Sequence, residues 1–523
     1  MTSILTNTGA MTALQTLRSI NANLAQTQNE ISTGKSISSA KDNSAVWAIS
    51  KVMESDVAGF KAIKNSLSLG ESSVAVARNA TESITDLLTD IKSKIVASQE
   101  ENVDREKIQT DITQLRNQIN SIVNAAQFNG LNLIKGTDDV NVLSSLDRAA
   151  DGTVTSSNIT VNRQDMTTAA GTYGSTALSG TALTSLATVN GVDENEAFNA
   201  QAGLNARIQV TEGTATGFAA NDSLSVTIGG SVMSVTLAGT EDADGARDLL
   251  MGAINARGIE GITATAGANA GELVISNTNA FDSVAVSLAS TVNDATGFVF
   301  GIEDLNGAAV APVATSGTIN QRAQTVDFST NAAVEEGLGF EVQAGGRTFR
   351  YVAGAGETME DVARGLKTAI DANPPTGVTT RVQQDSSTGQ WSLAIDNDVA
   401  SPGNLIVGAS TGGTASGGLF GLDNIDVRTD TGAAAALENI ETMIQSAIDA
   451  SAAFGSAQSR VETQSEFVSK LTDSLTAGIG TMVDADLEEA SARLQALQVQ
   501  QQLGIQSLSI ANQAPQTILA LFR

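Results

Sequence analysis

The sequence predicts a mainly α-helical protein with an α+β insert. Three observations indicate this: apolar seams at both ends of the chain, a long region without glycine or proline, and an internal repeat in the middle. Together they predict an elongated antiparallel helical bundle plus a terminal two-helix coiled coil. Two duplicated β-β-α-β-β outer modules are expected between the two parts of the bundle.

Both ends of the chain carry an apolar seam whose steps alternate between three and four residues, as in a coiled coil. The C-terminal seam consists of Leu487, Ala490, Leu494, Leu497, Gln501, Gly504, Leu508, Ala511, Pro515 and Ile518. The N-terminal seam consists of Ala10, Leu14, Leu17, Asn21, Leu24, Gln28 and Ile31. Polar residues and a glycine interrupt both lines. Two such helices bury little when paired only with each other, so we expect many copies to pack together.

Three further apolar stripes predict the helical bundle. The region from Glu71 to Asn129 lacks glycine and proline, which favours uninterrupted helix, and Asn102 or Asp104 can cap a second helix within it. The first two stripes are Val74, Ala77, Thr81, Ile84, Leu88, Ile91 and Ile95, and Ile108, Ile112, Leu115, Ile119 and Ile122. The third is Leu437, Ile440, Ile444, Ala447, Ser451, Phe454, Gln458, Val461, Ser465, Val468, Thr472 and Leu475. A hairpin is predicted around Asp151-Gly152.

The middle of the chain contains a duplication. Gly229-Gly230 matches Gly345-Gly346, and Ala253 to Ala256 matches Ala369 to Ala372, at one constant offset. Further on the offset grows, because the turn Asp385 to Gly389 is longer in the second copy. The predicted division is a terminal coiled coil (1–40 and 484–523), a helical bundle with a β-hairpin (41–165 and 431–483), variable connecting segments (166–215 and 306–334), outer module 1 (216–305) and outer module 2 (335–430).

Composition excludes several classes of function. The formal net charge is −28, and residues 136–430 carry 12 basic and 34 acidic residues, so a nucleic-acid-binding surface is not expected. The chain has no Cys and no His, which removes disulfides, thiolate nucleophiles and the commonest general base. No apolar run is long enough to span a membrane. The acidic clusters lack EF-hand spacing and the glycine-rich stretch lacks a phosphate-loop ending, so we expect no enzyme activity, no cofactor and no metal site.

The two ends of the chain resemble bacterial flagellin. The matching residues are Leu5 to Leu14, Ile31 to Lys35, Ser38 to Asn43, Gln127 to Gly130, Asp484 to Asp486, Gln498 to Leu503, Ile510 to Gln516 and Leu519 to Arg523. Both ends match in order, while the middle lies outside the resemblance. The family implies terminal helices that line a filament, outer domains that project into the medium, and export through the flagellar type III apparatus. It also implies a flagellin export chaperone, cap proteins and hook-associated proteins as partners.

The leading hypothesis is therefore a structural subunit that polymerises into the bacterial flagellar filament for swimming motility. The N-terminal residues lack the basic and apolar regions of a cleavable signal peptide, so composition alone would indicate a cytosolic protein. The resemblance to flagellin implies instead an extracellular protein of the flagellar filament that is secreted without a cleavable signal peptide. The residues predicted to form the polymerisation interface are Leu14, Leu17, Leu24, Ile31, Leu494, Leu497, Leu508 and Ile518. Two alternatives remain: a hook–filament junction protein of the same family, and a surface adhesin that binds through its acidic outer modules.

Overall fold

The computed structural model describes residues 7–148, 153–191, 194–198, 204–211, 217–293, 297–398 and 403–521. The helices are α1 (Thr8–Thr33), α2 (Ser44–Ser98), α3 (Arg105–Ala125), α4 (Thr181–Thr184), α5 (Ala243–Arg257), α6 (Met359–Asp371), α7 (Asp430–Val483) and α8 (Leu487–Leu521), with a 3-10 turn at Leu422–Asn424. The predicted helical ends and β-rich insert are confirmed. The turn predicted at Asp151-Gly152 lies outside the described residues.

The strands fall between α3 and α7. The first eleven are β1 (Gln127–Phe128), β2 (Leu131–Asn132), β3 (Val140–Arg148), β4 (Val154–Val161), β5 (Thr176–Leu178), β6 (Ala187–Val189), β7 (Asn195–Ala197), β8 (Leu204–Thr211), β9 (Ser223–Ile228), β10 (Ser231–Thr236) and β11 (Ile262–Ala266). The others are β12 (Glu272–Asn277), β13 (Val284–Thr291), β14 (Val299–Leu305), β15 (Ala308–Ala314), β16 (Ser316–Ile319), β17 (Gln324–Phe328), β18 (Gly339–Ala344), β19 (Arg347–Val352), β20 (Val378–Gln384), β21 (Trp391–Asn397) and β22 (Asn404–Thr411).

Backbone contacts divide the chain into two compact units. The first unit comprises Met1–Ala75, Asp139–Val161 and Ala453–Arg523, and the second comprises Val76–Asp138 and Asn162–Ala452. This division differs from the predicted one, because α2 and α7 each contribute residues to both units. Both helices continue through positions where apolar periodicity alone gives no reason to place a boundary.

In the first unit, the β3–β4 hairpin packs on α2 at two glycines. A Cβ atom added to Gly70 would lie 2.7 Å from a methyl carbon of Val142, and one added to Gly59 would lie 2.9 Å from Leu146 Cδ1. Gln464 of α7 also donates a hydrogen bond to the carbonyl oxygen of Ser144, at 2.9 Å. Glycine weakens a helix interior, but here it lets a strand approach closely.

The Gly70→Ala substitution is expected to destabilise the docked hairpin by about 1–3 kcal/mol, because the new methyl group overlaps a stiff β-branched side chain. Gly455→Ala is the matched control, since Gly455 also lies in a long helix of the first unit but has nothing within 4 Å of an added Cβ. That control should stabilise its helix by about 0.5–1 kcal/mol. Amide hydrogen exchange in residues 140–161 measures the first effect. Equal protection in Gly70→Ala and the parent chain would contradict it.

Helix α2 buries its predicted stripe, α3 buries only Ile112 and Ile119 of its stripe, and α7 shows a shift of register. Positions spaced by seven on α7 are buried as predicted: Ile440, Ala447, Phe454, Val461 and Val468. The intervening buried positions are Ala436, Met443, Ala450 and Ala457, each one residue before the predicted Leu437, Ile444, Ser451 and Gln458. Small alanines therefore occupy part of the buried face, which a search for large apolar residues overlooks.

The insert consists of two groups of strands with the same order of elements. In each, a hairpin (β9–β10 or β18–β19) leads to a helix (α5 or α6), a second hairpin (β11–β12 or β20–β21) and a further strand (β13 or β22). The sheet orders are β10-β9-β13-β16 and β11-β12-β8-β14-β15 in the first group, which we name module 1. They are β19-β18-β22-β5 and β20-β21-β17-β6 in the second, module 2, where β7 also pairs with β22. Each module has its own apolar core.

The segments expected to be variable connections, 166–215 and 306–334, differ from that expectation. They supply β8 and β17, which lie inside the sheets and carry buried residues such as Ile208 and Val326. The sequence repeat extends to Phe300–Leu305 and Phe420–Ile425, but the structures differ there, because the first belongs to a strand and the second contains a 3-10 turn. In module 2 the place beside β17 is taken by β6, and this leaves no room for an equivalent of β14.

Candidate functional site

Helices α1 and α8 lie antiparallel, and hydrogen bonds fix their register at both ends. The Asn7 side-chain amide donates to the carbonyl oxygen of Ala511 at 2.8 Å. At the other end, the backbone N–H of Ala485 donates to the carbonyl oxygen of Gly34 at 3.0 Å. Gly34 ends α1 with φ 68°, a left-handed conformation that favours glycine. The chain thus brings its two ends together as one helix pair.

The interruptions of the two predicted seams face each other. Gln501 Nε2 donates to Asn21 Oδ1 at 2.7 Å, so two polar breaks satisfy one another. A Cβ added to Gly504 would lie 3.3 Å from Leu17 Cδ1, and the glycine therefore leaves room for that leucine. Each of these residues interrupts the apolar seam of its own helix, but across the helix pair they are complementary.

The predicted interface residues are unequally buried. Leu497 is 7% exposed, whereas Leu14 is 40% exposed. The intermediate ones are Leu17, Leu24, Ile31, Leu494 and Leu508. Ile518 lies in α8, but its side chain falls outside the described residues. Pairing of α1 with α8 therefore completes the burial of Leu497 alone among the described members of this set.

The line of closest packing on α1 differs from the predicted seam. Ile20 and Thr27 are buried, one residue before the predicted Asn21 and Gln28. The Thr27 hydroxyl donates to the carbonyl oxygen of Asn23 at 3.0 Å, which satisfies its polar group within the helix. Because Thr is β-branched and compact, it occupies a narrow seam without requiring a polar partner on α8.

Sequence reasoning missed a second set of apolar residues on the terminal helices. Each of them is more than half exposed in the single chain, and all lie off the seam except Leu487, which belonged to the predicted line. The set, named here the outer apolar set, is Met11, Leu487, Val499, Leu503, Ile505 and Ile510. The sequence signal was present, since α8 carries apolar residues on several faces. A helix that is apolar all round is normally buried.

Comparison with family models shows which family the two terminal helical regions belong to. Residues 4–139 match the family model described as the bacterial flagellin N-terminal helical region, and residues 437–522 match the bacterial flagellin C-terminal helical region. Flagellin D of Rhizobium meliloti is 31% identical over 526 residues, with 100% of both chains covered. The chain belongs to the flagellin family. Flagellin A of Rhizobium meliloti is 30% identical over 529 residues, again with 100% of both chains covered.

Other flagellins match over only part of this chain. A flagellin of Brucella melitensis is 42% identical over 167 residues, which are 32% of this chain and 59% of that relative. Among solved structures, flagellar hook associated protein-3 from Legionella pneumophila aligns at 8% identity and a TM-score of 0.31, covering 83% of this chain and 98% of that one. FliC from Burkholderia pseudomallei aligns at 14% identity and a TM-score of 0.26, covering 75% and 99%. The family assignment rests on the full-length sequence relatives.

The terminal helices of this flagellin are nearly free of charge. No charged residue occurs from Leu494 to Phe522, although the whole chain has a formal net charge of −28. Four members of the outer apolar set, Val499, Leu503, Ile505 and Ile510, lie in this uncharged stretch, where charge repulsion is weakest. Within the described residues, none of the helices combines the length and the apolar character that crossing a membrane requires.

Proposed function

We propose that the chain polymerises outside the cell into the bacterial flagellar filament and thereby supports swimming motility. The observation that carries the proposal is the outer apolar set, which a helix pair with few charged residues exposes in the single chain. Burying apolar surface gains about 25 cal/mol per Å², so several such residues per copy supply a substantial driving force for association. Family membership supports the same conclusion, because full-length relatives are named flagellins.

The proposed assembly uses two layers of contact. Leu497, Ile20 and Thr27 hold α1 and α8 together within one copy. Leu14, Leu17, Leu24, Ile31, Leu494, Leu508 and Ile518, together with the outer apolar set, are proposed to pack against neighbouring copies. One patch meeting a different patch on the next copy gives an open, heterologous contact, and repeated contacts of that kind grow a helical polymer.

The remaining family expectations are part of the same proposal. We infer export through the flagellar type III apparatus, with an export chaperone before assembly and cap and hook-associated proteins at the filament ends. Modules 1 and 2 are proposed to be duplicated outer domains, because their sequences match at a constant offset and their elements follow the same order. Their acidic surface would keep a densely covered filament soluble.

Leu503→Asp tests the contact between copies. Leu503 is 57% exposed, so the substitution should leave the helix content and unfolding of the single chain unchanged. Between copies it would bury an unpaired carboxylate, at a cost of several kcal/mol. Each 1.4 kcal/mol is a factor of ten in association, so the concentration needed for seeded growth should rise more than about a hundredfold. Electron microscopy and light scattering of seeded solutions measure this.

Gln502→Asp is the matched control, because Gln502 is a neighbouring exposed polar residue on the same helix. It introduces the same charge without removing an apolar contact and should reduce growth much less. Normal seeded growth of Leu503→Asp at the parent concentration would contradict the proposed interface.

A further inference from the structure

A tyrosine and a glutamate form a buried pair in module 2. The Tyr351 hydroxyl donates to Glu357 and lies 2.8 and 2.9 Å from its two carboxylate oxygens. Tyr351 is 6% exposed and packs beside Phe420, with ring centroids 5.9 Å apart. A Cβ added to Gly365 of α6 would lie 2.4 Å from the tyrosine ring, so glycine there permits the close approach. The pair is a tightly packed polar contact within the module.

The pair borders a cavity of about 130 Å³ between α6, the Gly417–Phe420 segment and α7. Its polar lining includes Asp361, Thr442, Ser446 and Asp449. Such a volume holds several water molecules, and the lining offers them hydrogen-bond partners. The contact that attaches module 2 to α7 therefore contains space in which an ionised carboxylate could be hydrated.

The elements around Glu357 contribute polar or charged groups, and a larger open pocket of about 530 Å³ that also borders it is lined by Ser329, Thr358 and Glu360. Strand β19 contributes Tyr351, α6 contributes Asp361, and α7 contributes Asp449. A smaller cavity of about 50 Å³ also borders Glu357 and is lined by Arg163, Asp165 and Glu336. Burial raises the pKa of Glu357 and Asp361 adds to this, while hydrogen bonds from the Gly354 backbone and Tyr351 oppose it, and the result is a pKa of about 7. Burial and the neighbouring Glu357 keep the pKa of Tyr351 well above its usual value, so the tyrosine stays a donor.

Module 1 has a glutamate at the equivalent position in a different setting. Glu241 lies at the same offset from Glu357 as the other repeated residues, again between a hairpin and a helix, but Val235 replaces Tyr351. Glu241 Oε2 accepts hydrogen bonds from the backbone N–H groups of Ala238, Gly239 and Thr240 at 2.9, 3.0 and 3.1 Å. Its own backbone N–H and these neighbours lower its pKa. Module 1 therefore stabilises Glu241 as a carboxylate, whereas module 2 buries Glu357 beside Tyr351.

We propose that Glu357 and Tyr351 form a proton-linked latch that couples protonation of Glu357 to the docking of module 2 on helix α7. With the proton bound, the pair that lines the cavity carries no charge, and its hydrogen bond stays within module 2. When the proton leaves, the carboxylate draws water into the cavity and loosens residues 351–368 from residues 417–446. This device goes beyond assembly, because it regulates the attachment of an outer module within each copy.

The direction of the pH effect follows from linkage. The pKa of Glu357 rises from 4.5 to about 7 in the folded state, so the folded form binds the proton more tightly than an opened form does. The docked state is therefore favoured most below pH 4.5, and this stabilisation is lost as pH rises through about 7. The chain has no histidine, so no imidazole titrates in the same range.

Amide hydrogen exchange of the full chain between pH 5.5 and 8.5 tests the latch, after correction for intrinsic base catalysis. Protection of residues 351–368 and 417–446 should fall about 30-fold across this range, as the linkage relation gives for a pKa of 4.5 in the opened state and about 7 in the docked state. In Glu357→Gln the protection should stay constant within about twofold, because the amide cannot ionise. Glu241→Gln is the matched control and should keep the parent pH dependence.

Tyr351→Phe gives a second, independent result. It removes a hydrogen bond that favours the ionised carboxylate, so the loss of protection should move to higher pH. A parent chain without the fall in protection, or a Glu357→Gln chain that retains it, would overturn the proposal. If Glu357→Gln does not fold, an unchanged midpoint in Tyr351→Phe would overturn it equally.

Discussion

Leu497→Asp is expected to abolish filament growth. Leu497 is 7% exposed and is the described member of the predicted interface that the pairing of α1 and α8 buries. A carboxylate at this position would be buried without a partner, and an uncompensated buried charge costs about 3–5 kcal/mol. Two imperfect helices joined by one narrow seam cannot absorb that loss. Limited proteolysis should show unpaired terminal helices, and seeded solutions should contain no filaments in electron micrographs.

Gln498→Asp provides the control for Leu497→Asp. It places the same charge on the adjacent exposed position, and it should retain both helix pairing and growth. The comparison also separates the two layers of contact: Leu497→Asp should disrupt the single chain, whereas Leu503→Asp should leave the single chain intact and stop only assembly. Filaments of normal length from Leu497→Asp would show that the seam within one copy is not required.

The sequence was most informative where a local pattern decides the structure. Apolar spacing predicted the long helices, because burial of one face stabilises a helix whatever covers that face. It left Asn102 and Asp104 open as the cap of α3, and the structure shows Asp104 accepting from the backbone N–H of Lys107 at 3.2 Å. A cap depends on backbone conformation at a single residue, which periodicity does not report.

Long-range partners explain what the sequence could not predict. Gly59 and Gly70 lie inside α2, which begins at Ser44, and the β3–β4 hairpin packs against both glycines. The seam on α1 shifted by one residue to Ile20 and Thr27 because α8 fixes the register. Five of the six residues of the outer apolar set lie off the single seam that the sequence predicts along each helix.

The same limit applies to the insert. The repeat was recognised from pairs of similar residues at a constant offset. Strands β8 and β17 contain no such pairs, so the predicted modules left them out. Both strands are nevertheless interior members of five- and four-stranded sheets. A strand between two partners needs only alternating apolar residues, and this is a weak signature that many sequences satisfy.

Lys367→Met is expected to destabilise the second unit by about 3–5 kcal/mol. Lys367 is 4% exposed, and its ammonium group lies 2.7 Å from Asp371 Oδ2 and 3.1 Å from Glu438 Oε2. It also donates to Asn439 Oδ1 at 3.1 Å, so one cation joins α6 of module 2 to α7. Methionine fills a similar volume but leaves the buried Asp371 carboxylate without its counter-charge. Urea unfolding, monitored by hydrogen exchange in residues 359–371 and 430–452, measures the loss of unfolding free energy.

Lys470→Met is the matched control. It makes the same substitution but removes an exposed ion pair, in which the side chains of Lys470 and Glu466 are 77% and 75% exposed. An exposed pair contributes little, so this change should stay within about 0.5 kcal/mol. Adding Asp371→Asn to Lys367→Met should recover part of the stability, since the amide oxygen can accept from Asn439 and the amide N–H can donate to the Thr380 hydroxyl, without a buried charge. If the single and double variants unfold alike, the cost comes from lost packing and not from the orphaned carboxylate. The buried cation would then act only as a spacer between α6 and α7.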